Sequence, residues 1–150
     1  MSETVTLGPV RSNAESLLRG AGLKSTRPRV RVLERLSRSA TPISHGELVH
    51  ELGEQGIDRT TVWRNLADLT GAGLVRRTDL GDHVWRFELE RAPGEKHPHF
   101  TCTDCGTVEC LPEVTVQIAK PQVARGRRAP RSIGQRKVEV QLRGLCDDCA

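Results

Sequence analysis

The stretch "RTTVWRNLADLTGAGLVRR", Arg59 to Arg77, decides how the first half of the chain is read. Val62, Leu66 and Leu69 recur at i, i+4 and i+7 and mark the inward face of a helix. Thr60, Arg64 and Ala67 then point away from the core, with Thr61 and Trp63 on the shoulders. Small residues around one arginine can enter a major groove without clashing, and arginine is the commonest reader of guanine. Taken alone, the same face also describes an ordinary solvated helix, so its neighbours decide.

Upstream, "RSNAESLLRGAG" places Glu15 three residues after Ser12, the spacing of a capping box, and Gly20 or Gly22 stops that helix. "KSTRPRVRVLERLSRS" sets Pro28 near a second helix start, with Val30, Leu33 and Leu36 as a buried stripe. Arg27, Arg29, Arg31 and Arg35 decorate the remainder. A third helix opens at Ser44, with Glu47 closing its box and Ile43 positioned to staple onto Leu48. Downstream, "LVRRTDLGDHVWRFEL" reads as two strands around a turn. Helices followed by a basic hairpin make a winged helix-turn-helix, in which the fourth helix reads bases while the wing and helix ends touch phosphate.

The composition agrees with two small units. In 150 residues there is no Tyr, with only two Trp and two Phe, so little aromatic bulk is available for a core and a staple is expected. The formal net charge of +4 tilts weakly toward a polyanionic partner. The N-terminus lacks the basic start and apolar core of a signal peptide. No apolar run approaches the ~20 residues that span a bilayer. The expected setting is cytoplasmic and thiol-reducing, where the five cysteines suggest metal or redox sites before disulfides.

Cys102 with Cys105 and Cys146 with Cys149 form two Cys-x-x-Cys hooks, a strong signal for structural Zn²⁺ held by four thiolates. Such a site has no open position, so it is inert and no enzyme is expected. A thiol-redox pair is the rival, although nothing around "CTDCG" has the strand-to-helix setting such pairs use. A zinc-ribbon adaptor that binds proteins is another.

"AGLKSTRPRVRVLERL", "RTTVWRNLADLTGAGLVRR" and "HFTCTDCGTVE" resemble, in order and spacing, successive segments of the ferric uptake regulator family. The resemblance covers roughly residues 12 to 110 plus the terminal "CDDC". It implies an α+β chain: a winged helix-turn-helix DNA-binding domain over 1–90 and a small α/β dimerisation and metal-binding domain over 91–150. It further implies a homodimeric, metal-dependent repressor of metal homeostasis genes that binds operator double-stranded DNA. Lys24 and Arg27 would lie at the DNA beside Thr60, with Lys24 in a minor groove and Trp63 and Arg64 on bases; the family usually has Tyr where Trp63 stands.

By the same resemblance, Glu88, His97 and His99 take the positions of a regulatory divalent metal, Zn²⁺, Fe²⁺ or Mn²⁺. Cys110 falls where iron- or manganese-binding relatives often place a carboxylate. A thiolate favours zinc over those harder ions and weakens a peroxide-sensing reading. Cys110 is read equally well as a plain buried strand residue. The family's further ligand, typically His, falls on Pro42, which cannot bind metal. His45 and His83 are conceivable substitutes, though exposed surface histidines describe them better. An accessory metal site of some relatives is not expected, since its positions fall on Lys96, Pro98 and residues near Gln117 and Val138. A family member that binds DNA constitutively is therefore the alternative. The basic segment 120–137 reads as a loop, and "VEVQL" as a strand.

Overall fold

The computed structural model describes residues 10–90, 97–117, 130–134 and 138–150. The chain divides into two compact units, Met1–Glu95 and Lys96–Ala150.

In the first unit α1 (Val10–Gly20) begins two residues before Ser12, so Ser12 is not its cap. Next come α2 (Arg27–Ser37), β1 (Ile43–Ser44), α3 (His45–Gly53) and α4 (Arg59–Gly71), then β2 (Val75–Asp79) and β3 (Trp85–Leu89). The expected box at α3 is present: Glu47 N–H donates to Ser44 Oγ at 3.2 Å, and Ser44 N–H donates to Glu47 Oε2 at 2.7 Å. The Ser44 hydroxyl, donating to Glu47, holds that carboxyl below its ordinary range. At α4, Asp58 accepts from Thr61 N–H at 3.0 Å and from its hydroxyl at 2.5 Å. Past its far end, Gly73 takes φ 72, and Leu74 N–H reaches back to Leu69 C=O at 3.0 Å, closing the last turn.

One apolar cluster holds this unit together. Ala14 and Leu18 meet Val30, Leu33 and Leu36, Leu48 and Leu52, Val62, Leu66 and Leu69, with Ile43, Val75 and Phe87 from the strands. β1, too short to be legible in sequence, pairs with β3 through Ile43↔Phe87 and makes a sheet of order β1-β3-β2.

Two of the arginines read as surface decoration, Arg29 and Arg35, are struts between helices instead. Arg29 pairs with Asp68 at 2.5 Å, tying α2 to α4; Arg35 grips Glu51 on α3; Arg31 meets Glu34 at 3.0 Å. For Arg29 and Arg35 the tertiary fold brings the carboxylate to the forked guanidinium, whereas Arg31 meets a residue three along its own helix.

The second unit centres on β4 (His99–Cys102), flanked by β5 (Val108–Cys110) antiparallel and β6 (Gln141–Gly144) parallel. β6 starts three residues later than "VEVQL" suggested: Val138, Glu139 and Val140 are not in the strand. Its register is set by β4, whose Phe100 faces Leu142 and whose Cys102 faces Gly144. Of the basic segment, Arg131 lies in the short α5 (Arg131–Gly134), whereas Arg125, Arg127, Arg128, Arg136 and Lys137 lie outside the described residues. Among the described residues of this unit only Pro98, His99 and Cys102 are buried. So small a core needs a staple.

Ser44→Ala removes one half of the α3 cap and should lower the unfolding free energy of the first unit by about 1 kcal/mol, read from the denaturant midpoint.

Candidate functional site

The two cysteine hooks come together within the second unit. Cys102 ends β4, and the chain turns back through Gly106 at φ 75, with Gly106 N–H on Cys102 C=O at 3.1 Å. A residue with a Cβ is strained at that φ, so the hook's shape depends on glycine. Cys146 and Cys149 follow β6, and Cys149 N–H donates to Cys146 C=O at 3.0 Å. Thr103 N–H donates to Gly144 C=O at 2.8 Å, joining the hooks' backbones.

All four sulfurs lie within 4.8 Å of one another. Cys105 and Cys146 Sγ are 3.7 Å apart, far beyond the ~2.05 Å of a disulfide. Zn–S bonds of about 2.3 Å give a tetrahedron with edges of about 3.8 Å.

The thiols' acidities also fit a cation. Backbone N–H groups of Cys105, Cys146 and Asp104 bring Cys102 down to about 6. The Thr107 side chain, 3.1 Å from Cys105 Sγ, lowers Cys105. The neighbouring sulfurs of Cys146 and Cys105 push Cys149 up to about 12. Four thiols this close resist ionising together, and a divalent ion removes that resistance. The donor set therefore fits Zn²⁺, with Cys146 N–H on Cys102 Sγ at 3.5 Å as outer support.

A second group lies on the same sheet. His99 faces Cys110 across the β4–β5 ladder, and the His97 and His99 rings sit 4.8 Å apart. Ligand atoms of His97, His99 and Cys110 are within 4.8 Å of one another. His99 is 1% exposed, whereas Cys110 is half-buried rather than sealed in a core. Two imidazoles and a thiol supply three donors of the N/S type that suits zinc. Glu88 belongs to β3 of the first unit, where it stands across from Arg76 and accepts from its Nη2 at 2.6 Å.

On α4 the two faces separate cleanly. Val62, Leu66 and Leu69 are each 0% exposed, while Thr60, Trp63, Arg64 and Ala67 are all exposed. Lys24 is exposed between α1 and α2, its carbonyl taken by Arg29 Nη1 at 3.0 Å, and Arg27 is exposed at the start of α2. His45 is not an exposed histidine: its ring meets Trp63 edge-on at 5.4 Å, and its Nε2 is buried. Sequence reasoning missed this contact because it joins residues of two different helices. His83, at φ 60 in the wing turn, is a surface histidine as read, with its side chain 95% exposed. Pro42 is buried.

The ferric uptake regulator family model matches residues 20–131 of the chain. The chain belongs to the ferric uptake regulator family. A ferric uptake regulation protein of Legionella pneumophila is 34% identical over 135 residues, spanning 88% of this chain and 95% of that protein. The transcriptional regulator FurA of Mycobacterium bovis is 36% identical over 136 residues, spanning 89% and 87%. The crystal structure of the Vibrio cholerae ferric uptake regulator superposes with a TM-score of 0.60 at 28% identity, covering 88% of this chain and 98% of that one. This family comprises metal-responsive transcriptional regulators, and the α+β architecture of a winged helix followed by a small α/β unit is theirs.

Cys149→Ser should release the tightly held zinc and lower the unfolding midpoint of the second unit, with metal content and circular dichroism as readouts. Protons compete with metal for the sulfurs, so zinc affinity should fall as pH falls. The contribution of Cys102 drops away only below about 6, where its depressed thiol regains its proton.

Proposed function

We propose that the chain is a homodimeric, metal-dependent repressor that binds operator double-stranded DNA of metal homeostasis genes in the cytoplasm. Among the described residues no helix is long and apolar enough to cross a membrane. The observation that carries the DNA reading is α4, whose exposed Thr60, Trp63 and Arg64 stand opposite a fully buried stripe. Trp63 stacks on a base or meets a thymine methyl, Arg64 reads a guanine edge, and Lys24 and Arg27 contribute positive charge at the duplex. A dimer implies a near-palindromic operator.

Cys102, Cys105, Cys146 and Cys149 would hold structural Zn²⁺ and keep the second unit folded. Glu88, His97, His99 and Cys110 would hold the regulatory divalent metal, with one carboxylate from the wing and three donors from the sheet. Metal there favours one angle between the DNA-reading heads, so repression rises with metal. The Cys110 thiolate supports Zn²⁺ over Fe²⁺ or Mn²⁺ as the ion sensed. A constitutive repressor is the second reading, favoured by one observation: Pro42 stands, buried, at the family's usual histidine position.

Arg64→Ala should weaken binding to a duplex selected from a random-sequence pool by ~1–3 kcal/mol and relax one base position. Unchanged affinity would remove α4 from the interface. Cys110→Asp should move the exchangeable site's preference from Zn²⁺ toward Mn²⁺ and Fe²⁺ in metal-competition titrations. An unaltered preference would take Cys110 out of the site.

A further inference from the structure

His45 and Trp63 sit on different helices, yet their rings meet edge to face, with centres 5.4 Å apart and planes at 83°. In such a pair the positive edge of one ring lies against the negative face of the other. His45 Nε2 is buried, and among the described residues it has no hydrogen-bond partner. An imidazole nitrogen left so costs stability. Contact with the indole, rather than a hydrogen bond through Nε2, is therefore what the ring makes here.

The two backbones are fixed, but the indole by itself is not. His45 is the first residue of α3, directly after Ser44, whose side chain accepts from Glu47 N–H in the capping box. Ile43 on one side and Leu48 on the other are buried, and Ile43 is paired with Phe87. The imidazole thus stands on a pinned turn. Trp63 follows Val62, which is fully buried, so its backbone is held as well. Its side chain, however, is 46% exposed on the outward face of α4. A ring there must give up rotamer freedom when it enters a groove, unless something already holds it.

We propose that His45 is a positioning residue for base recognition: its ring holds the Trp63 indole in the orientation that meets a base before DNA arrives. This rests on the reading of α4 as the helix that reads bases. Stacking alone tolerates any base, because every base has a π face. The indole has one polar group, the Nε1–H, so its selectivity depends on where that donor and the ring edge point. His45 sets that direction. It acts through Trp63 rather than on the duplex, so its loss loosens readout at one base pair and leaves Arg64 and the phosphate contacts as they are.

Full-length, zinc-loaded protein tests this on two duplexes, one selected from a random-sequence pool and one of mixed sequence. His45→Ala should weaken binding to the selected duplex roughly three- to tenfold, the worth of one aromatic pair, and leave the mixed-sequence duplex unaffected. Selection repeated with the variant should lose its preference at one base position. His45→Phe keeps a ring without the nitrogens and should restore most of the loss. In a Trp63→Ala background, His45→Ala should have no further effect. The chain has two tryptophans, so Trp85→Phe leaves Trp63 as the sole emitter; adding His45→Ala should then lower its fluorescence anisotropy in the free protein. An equal loss on both duplexes that persists in the Trp63→Ala background marks a phosphate contact by His45 itself and overturns the proposal. A lower denaturant midpoint with base preference and anisotropy unchanged marks a merely structural ring and overturns it too. If Trp63→Ala loses affinity for the selected duplex while His45→Ala does not, the positioning role alone fails. If Trp63→Ala loses none, the base-reading assignment of Trp63 fails with it.

Discussion

Burial of Val62, Leu66 and Leu69 along one side of α4 is the constraint on which the first unit depends. Each is fully sealed, and the cluster around them draws on every helix and strand of the unit. A helix pinned by such a stripe cannot rotate about its axis without exposing apolar surface, at roughly 25 cal/mol per Å². The outward residues inherit that rigidity. Thr60, Trp63 and Arg64 are held at a set azimuth by side chains on the far side of the same helix. Asp58 fixes where α4 starts, and Arg29 on Asp68 ties it to α2.

The second unit solves a different problem. Among its described residues only Pro98, His99 and Cys102 are buried, and under the proposed reading a metal held by the four-sulfur cluster would supply the staple. β4 carries His99 at its first position and Cys102 at its last. A metal clasp at Cys102 therefore also fixes the strand that presents His99 to Cys110. Under the proposed reading, a closed, inert site would be the rigid base on which an exchangeable one is built.

Much of this was legible in the sequence because it is local. The capping box at Ser44 and Glu47 needs only residues three apart, and the stripe on α4 only helical periodicity. The Cys-x-x-Cys hooks likewise announce their chemistry by spacing. What was not legible depends on partners far along the chain. β1 is two residues long and exists only because β3 lies beside it. Arg29 and Arg35 look alike in sequence, and only the packed fold assigns them to Asp68 and Glu51. His45 offered no sign that it would lie against Trp63. The β6 boundary missed by three residues because a parallel neighbour, β4, sets its register. Ser12 and Glu15 carried the letters of a cap, yet α1 starts upstream of them.

The account's central claim is that one metal maintains the fold while another controls DNA binding. It is tested most directly by titrating protein that already holds one zinc per chain with Zn²⁺, reading bound metal and affinity for the selected duplex on the same samples. The account predicts weak binding at one metal per chain and a steep rise in affinity as a second is taken up. Equal affinity at one and at two metals per chain would contradict it.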